Sequence, residues 1–215
     1  MYNAVGMEKL AIREEIANSI SHGLGLLLAI IAVPILVLAA VRAGSVHFIV
    51  GASVFGGTII LLYLASTLYH SITHEVTKNF CRLFDHTAIF LLIAGTYTPF
   101  SLGVLRGPWG WSLLAVIWTL AIVGITLKVR KRPGHSRITI VLYVIMGWLA
   151  IVAVKPMVIL IPVPGILLIF AGGVAYTGGL AFFAAQRIRY NHFIWHLFVI
   201  AGTACHFFAV LWYAS

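Results

Sequence analysis

A chain of 215 residues that is 62% hydrophobic and 9% charged, with a mean hydropathy of +1.07, departs from soluble domains, which carry roughly 45–50% apolar and about 25% charged residues. So little polar surface cannot coat a water-soluble body of this size, which excludes an ordinary cytosolic enzyme, a disordered chain and a nucleic-acid-binding domain. The formal net charge of +9 sits between apolar runs and reads as a topology signal, and two cysteines exclude a disulfide scaffold.

The pattern predicts an all-α membrane protein, a seven-transmembrane helix bundle in one domain. A helix crosses the hydrocarbon core with about 20 apolar residues. Residues 1–18 read as a cytoplasmic, amphipathic segment. Spans follow at 19–41, 48–71, 86–104, 111–127, 138–154, 165–185 and 193–213. Pro34 and Pro99 are expected to kink spans one and three. The apolar stretch 157–164 is short and holds Pro162 and Pro164, so it reads as an interfacial or re-entrant entry to span six. In that span Ala171, Ala175 and Gly179 form a small-residue line that permits close helix packing. The first apolar run has spanning length, so no signal peptide is expected.

Eleven of the 14 Lys and Arg residues fall on one side of this topology: Lys9, Arg13, Lys78, Arg82, Lys128, Arg130, Lys131, Arg132, Arg137, Arg187 and Arg189. Arg42, Arg106 and Lys155 fall on the other. The positive-inside rule then places the N-terminus in the cytoplasm and the C-terminus outside. The expected location is the cell (inner or plasma) membrane, as a multi-pass protein, with membrane lipids as partners and no nucleic acid.

The polar side chains converge at one depth. His22 starts span one, His70 ends span two, Asp85 precedes span three, and His192 and His196 open span seven. All five therefore lie just inside the cytoplasmic leaflet. Ionisable groups at membrane depth are expensive and usually face the bundle interior, paired or functional. His192 and His196 share one helix face at i, i+4, and two such imidazoles can bind one zinc ion. His70 adds a third nitrogen from a different helix, and three protein ligands with one open position describe catalytic zinc sites. The alternative for the pair is an interfacial couple hydrogen-bonded to backbone or headgroups.

Ser66 lies one turn before His70 on the same face. It either orients a ligand or a water there, or bonds back to the carbonyl four residues earlier. Asp85 either holds and deprotonates a zinc-bound water or is a helix N-terminal carboxylate favoured by the macrodipole and Arg82. Glu15, Asn18 and His22 share a face at i, i+3, i+7. They either brace the site, with His22 as an alternative ligand, or form a polar stripe on an interfacial helix. His47, His74, His86 and His135 carry weaker signals. His206 lies about 15 Å deeper than His196 and reads as a bundle histidine bonded to a neighbour. Cys81 and Cys205 stand at different depths and are expected to be reduced thiols.

The segments EIANSISHG (15–23), LASTLYH (64–70), FDHTAIFLLIAGTYTPF (84–100) and YNHFIWHLF (190–198) resemble the hemolysin III proteins. Those are the bacterial branch of the progestin and adiponectin receptor superfamily. The resemblance runs from about Glu15 to the C-terminus, with the motifs in order and at the right spacing. It implies a seven-helix bundle of the same orientation. It also implies zinc held by His70, His192 and His196, with Asp85 contacting the ion through water and Ser66 beside it. The similar constellation of alkaline ceramidases suggests hydrolysis of lipid amides. No hormone partner is expected, because the long N-terminal extension of the eukaryotic receptors has no counterpart here.

Three functions are compatible with these residues. The first is a zinc-dependent hydrolase of lipid amides or esters, with Asp85 as general base and Ser66 assisting, serving membrane lipid and fluidity homeostasis. The second is a non-enzymatic membrane sensor or regulator with a structural zinc, for which His22 would serve as the fourth protein ligand. The third is the cytolytic pore implied by the family name, against which stand spans too apolar to line a wide channel.

Overall fold

The computed structural model describes residues 2–130, 137–185 and 187–215, with side chains described from Leu10 onward. Lys131, Arg132 and His135 lie outside the described residues, as does the side chain of Lys9. Among the described residues the regular elements are all helical. They are α1 (Tyr2–Arg42), α2 (Val46–Ser71), α3 (Glu75–Leu102), α4 (Pro108–Arg130), α5 (Arg137–Trp148), a 3-10 stretch (Leu149–Ala153), α6 (Val154–Leu160), α7 (Val163–Ala184) and α8 (Asn191–Tyr213).

Six runs among the described residues are long and apolar enough to cross a membrane: Leu10–Arg42, Val46–Ser71, Pro108–Arg130, Arg137–Leu160, Val163–Ala184 and Asn191–Tyr213. Helix α3 has the length, at 28 residues, but is less apolar. Asp85, His86, Thr87, Thr96 and Thr98 interrupt it, and all five are buried. This helix packs against α2 and α4 and also touches α5 and α8. Its polar side chains therefore meet protein instead of hydrocarbon, which is where such groups are tolerated at membrane depth. Helix α1 shows the same inversion. Ile20, Leu24, Leu27 and Ile31 face outward and exposed, while Asn18, Ser21 and His22 are buried against α2 and α8. An apolar exterior around a more polar interior is what a lipid solvent selects.

Several local features differ from the sequence expectation. Helix α1 is continuous from Tyr2, so residues 2–18 and the first span are one helix. Residues 157–160 do not form an entry to the sixth span. They lie in α6, which completes the run begun at Arg137, and the chain turns at Ile161 and Pro162. Pro164 then sits in the first turn of α7, where the missing N–H has no intrahelical partner to lose.

The break between α5 and α6 exposes backbone groups that lipid cannot satisfy. Tyr97 of α3 repairs it. Its hydroxyl lies 2.9 Å from the Met146 carbonyl and 3.0 Å from that of Gly147, and it accepts the Ala150 N–H at 3.0 Å.

Close helix crossings position the rest. A Cβ on Gly51 would stand 2.6 Å from Pro99 Cα, so α2 and α3 meet backbone to backbone there. On α7 the line of small residues that meets α8 is Gly165, Gly172 and Gly179, facing Tyr213, His206 and Phe198 in turn. Of the predicted line only Gly179 belongs to that face. Ala171 is exposed and Ala175 only half-buried. A seven-residue repeat stays on one face of a helix over two turns, whereas four-residue steps drift off it.

Candidate metal centre

Three histidines meet at one end of the bundle. His70 comes from the last turn of α2, and His192 and His196 come from the first turns of α8. One ring nitrogen from each lies within 4.8 Å of the other two. The Nε2 atoms of His70 and His192 are 3.1 Å apart. Two nitrogens bound to one zinc at 2.0–2.1 Å in tetrahedral geometry stand about 3.3 Å apart, so this pair is already near the required separation.

The protonation pattern also fits a metal. A neutral imidazole that donates from Nδ1 keeps the Nε2 lone pair free, and ligand histidines are commonly fixed in this way by a carboxylate or carbonyl. His70 Nδ1 donates to Glu15 Oε2 at 3.2 Å. His196 Nδ1 lies 3.2 Å from the Asn18 carbonyl and 2.9 Å from Ser21 Oγ. The Ser21 hydroxyl itself donates to the Asn18 carbonyl at 2.8 Å, leaving its oxygen to accept from His196. Two imidazoles so oriented, with a third beside them, suit zinc or a similar transition metal and suit magnesium or calcium poorly.

Helix α1 supplies all of these outer partners. Glu15 is also held by Lys78, whose Nζ donates to Oε2 at 2.8 Å and to the Tyr69 and Ile72 carbonyls at 3.3 Å each. Glu14 Oε1 accepts the backbone N–H of Tyr190 at 2.9 Å. Tyr190 has a left-handed backbone (φ 57°) and immediately precedes α8. Glu14 thereby ties α1 to the turn that aims His192 inward. Of the expected bracing residues, Glu15 and Asn18 touch the histidines. Sequence reading missed Glu14, Ser21 and Lys78. The ladder 14, 15, 18, 21, 22 on α1 could have revealed Ser21. Nothing local marked Lys78, which reaches Glu15 across 63 positions of sequence.

His22 is 2% exposed and stacks on His196, with ring centroids 3.5 Å apart and planes at 7°. It does not belong to the three-histidine group. Imidazole lone pairs lie in the ring plane. The two stacked rings direct their lone pairs along nearly parallel planes, so His22 and His196 do not converge on one point.

Asp85 and Ser66 form a second layer. Asp85 lies ten residues inside α3, whose N-cap is His74. It is therefore no helix-terminal carboxylate. Ser66 is fully buried and lies against the Asp85 carboxyl. Its hydroxyl makes no hydrogen bond of good geometry to any described protein atom, so it does not bond back to its own helix. Lys128 of α4, also buried, places a positive charge near Asp85. Among the remaining histidines, His47 accepts from Arg106 Nη1 at 3.4 Å at the opposite end of the bundle, and His74 caps α3. Both cysteines are free thiols.

An apolar cavity of about 210 Å³ begins beside this layer, between α3, α5, α6, α7 and α8. Leu62, Ile89, Trp195 and Val199 are among its walls. Leu62 is one turn from Ser66, Ile89 one turn from Asp85, and Val199 one turn from His196. The site thus pairs a cluster of metal-competent nitrogens and a buried carboxyl with adjoining, mostly apolar space.

A family model described as haemolysin-III related matches residues 10–207. "Hemolysin-3" of Bacillus cereus is 48% identical over 202 residues, covering 94% of this chain and 92% of that protein. "Hemolysin-3 homolog" of Bacillus subtilis (strain 168) is 46% identical over 202 residues, covering 94% and 95%. The human "Monocyte to macrophage differentiation factor" is 27% identical over 169 residues, covering 74% of this chain and 68% of its own length.

Proposed function

Given that the chain belongs to the haemolysin-III related family of multi-pass membrane proteins, we propose that it is a zinc-dependent hydrolase of lipid amides or esters in the cell membrane. In this reading α3 also crosses the bilayer, shielded by its neighbours, which makes seven spans. The N-terminus is cytoplasmic and the C-terminus external, a placement supported by the eleven-to-three distribution of basic residues.

The observation that carries the proposal is the convergence of three imidazoles whose outer nitrogens are occupied, for His70 and His196, by partners on α1. His70, His192 and His196 would hold the ion. Zinc in such a site lowers the pKa of a coordinated water towards about 7 and polarises a carbonyl. Glu15 keeps the His70 imidazole, and Asn18 and Ser21 keep that of His196, in the tautomer that donates from Nδ1. The Asp85 carboxylate accepts the proton of the attacking water and returns it to the leaving amine nitrogen or alcohol oxygen. Ser66 supplies a hydroxyl beside that carboxylate. The apolar cavity takes the acyl chain of the substrate and excludes water from the reacting carbonyl.

A structural metal in a sensor would call for a fourth protein ligand. The parallel stacking of His22 on His196 supports an open position instead. The test combines metal analysis by mass spectrometry with fatty-acid release from the purified protein on ceramide, monoacyl and diacyl substrates. Near-stoichiometric zinc with turnover, both lost in His196→Ala while helical content is kept, is the expected result. Zinc without turnover on any lipid class would refute catalysis.

A further inference from the structure

The apolar cavity opens sideways, between α5–α6 and α7. Ile151, Val154, Val158 and Phe170 line it there, and they are 61%, 53%, 57% and 57% exposed. Helix α7 packs closely on α8 and only loosely on α5 and α6. Trp148, the last residue of α5, reaches across this gap. Its Nε1 donates to Thr177 Oγ1 at 3.0 Å, and its ring lies 5.9 Å from that of Phe170 between centroids. The indole edge passes 3.8 Å from where a Cβ on Gly173 would stand. Phe170, Gly173 and Thr177 share one face of α7 at i, i+3 and i+7, and all three line the cavity together with Trp148. Tryptophans of membrane proteins gather at the interfaces. Trp148 lies instead near the middle of the run Arg137–Leu160, at a depth where a bilayer offers only acyl chains.

We propose that Trp148 is a movable bar across a bilayer-facing mouth of the cavity, and that acyl chains of membrane lipids pass in and out past it. The inference rests on the reading that the cavity holds the substrate's acyl chain, and it adds the residue that controls exchange. The bar is held by a bond that can be made and broken cheaply. The Thr177 hydroxyl donates to the Gly173 carbonyl of its own helix at 2.8 Å. Its oxygen is then free to accept from the indole, and its own proton stays bonded when the indole leaves. The backbone around Trp148 is pinned, because the Tyr97 hydroxyl bonds the Met146 and Gly147 carbonyls and the Ala150 N–H. Opening therefore falls to rotation of the indole about its side-chain bonds, with the helix left in place. Side-chain hydrogen bonds between helices in a membrane are modest in strength. The apolar rim admits hydrocarbon and excludes a headgroup, whose water it would strip without replacement.

The experiment is stopped-flow binding of cis-parinaric acid, a fluorescent polyene fatty acid, to the full chain in lipid nanodiscs. Energy transfer from the tryptophans reads association, and a chase with oleate reads dissociation. Thr177→Val removes the acceptor and keeps the shape, and Trp148→Phe keeps a ring and loses the N–H. Each should raise both rates about three- to tenfold, the scale of one interhelical hydrogen bond. Their affinity should stay within about twofold of wild type, because a barrier lowered from both sides leaves the equilibrium where it was. Trp148→Ala removes the bar and should raise both rates about tenfold or more on the same scale. Thr177→Val guards against misfolding of the alanine variant, and thermal melting checks all three. Both rates within about twofold of wild type in every variant overturn the bar. So does a weaker affinity carried by dissociation alone, which marks Trp148 as a wall contact. Absence of binding in wild type and variants alike, as when a second copy of the chain covers the mouth, overturns it too. Fatty-acid release from ceramide is measured in parallel on the wild type. Turnover with unchanged exchange rates sinks the bar alone, and the exchange pattern without turnover sinks the hydrolase reading alone.

Discussion

Glu15 is the residue whose removal tests the site most directly without touching a ligand. Its Oε2 sits 3.2 Å from His70 Nδ1 and 2.8 Å from Lys78 Nζ, so one oxygen serves both the ligand and a cation. Glu15→Ala frees the His70 ring to rotate and to adopt the other tautomer. It also leaves the Lys78 charge facing the site, where it opposes a metal ion. Loss of such an outer partner typically costs 10–100-fold in metal affinity, about 1.4–2.8 kcal/mol. Two effects of the same sign place Glu15→Ala near the upper end. Glu15→Gln retains an oxygen that can accept from Nδ1 and loses only the charge, so it should fall near the lower end. Lys78→Met removes the competing cation and should leave affinity unchanged or raised. The assay is competition for zinc against a chromophoric chelator, with the purified full chain. Zinc affinity of Glu15→Ala within about twofold of wild type, alongside abolition in His70→Ala, would refute the argument that this carboxylate orients the ligand.

His22→Ala should keep near-stoichiometric zinc, because the ring stacks on His196 and offers it no in-plane lone pair; metal analysis that shows loss comparable to His196→Ala would make His22 a ligand. Tyr97→Phe should destabilise the bundle by about 1–3 kcal/mol, since it strands the Ala150 N–H at the α5–α6 break; thermal unfolding followed by circular dichroism reads this, and an unchanged midpoint would mean that the break is satisfied another way. Gly172→Leu should cost about 1–3 kcal/mol or more through overpacking, because even a Cβ there would stand 2.6 Å from the His206 ring; Ala171→Leu, on the exposed side of the same helix, should be near neutral in the same melting experiment.

Much of the site was legible because it obeys helical spacing. His192 and His196 share a face by arithmetic alone, and His70 reaches them because short connectors force neighbouring spans to run antiparallel. Glu15 and Asn18 could be placed on the inward face of α1 for the same reason. Ser21 was overlooked although it lies on that face. The role of His22 was left open between ligand and brace, since spacing says which face a ring occupies and nothing about its tilt. Asp85 was ambiguous because a capping carboxylate and a buried one look alike at a span boundary. The helix start at Glu75, ten residues earlier, removes the ambiguity.

Composition and periodicity determined that this chain lies in a membrane as a helical bundle and that its ionisable groups gather at one end. Both follow from the cost of polar groups in hydrocarbon, which acts on every residue independently of its partners. Which nitrogen of His70 and of His196 is occupied, which small residues let α7 approach α8, and the apolar cavity beside the site depended on the tertiary structure. These depend on side-chain rotamers and helix rotations set jointly by several helices, and no local stretch of sequence contains that information.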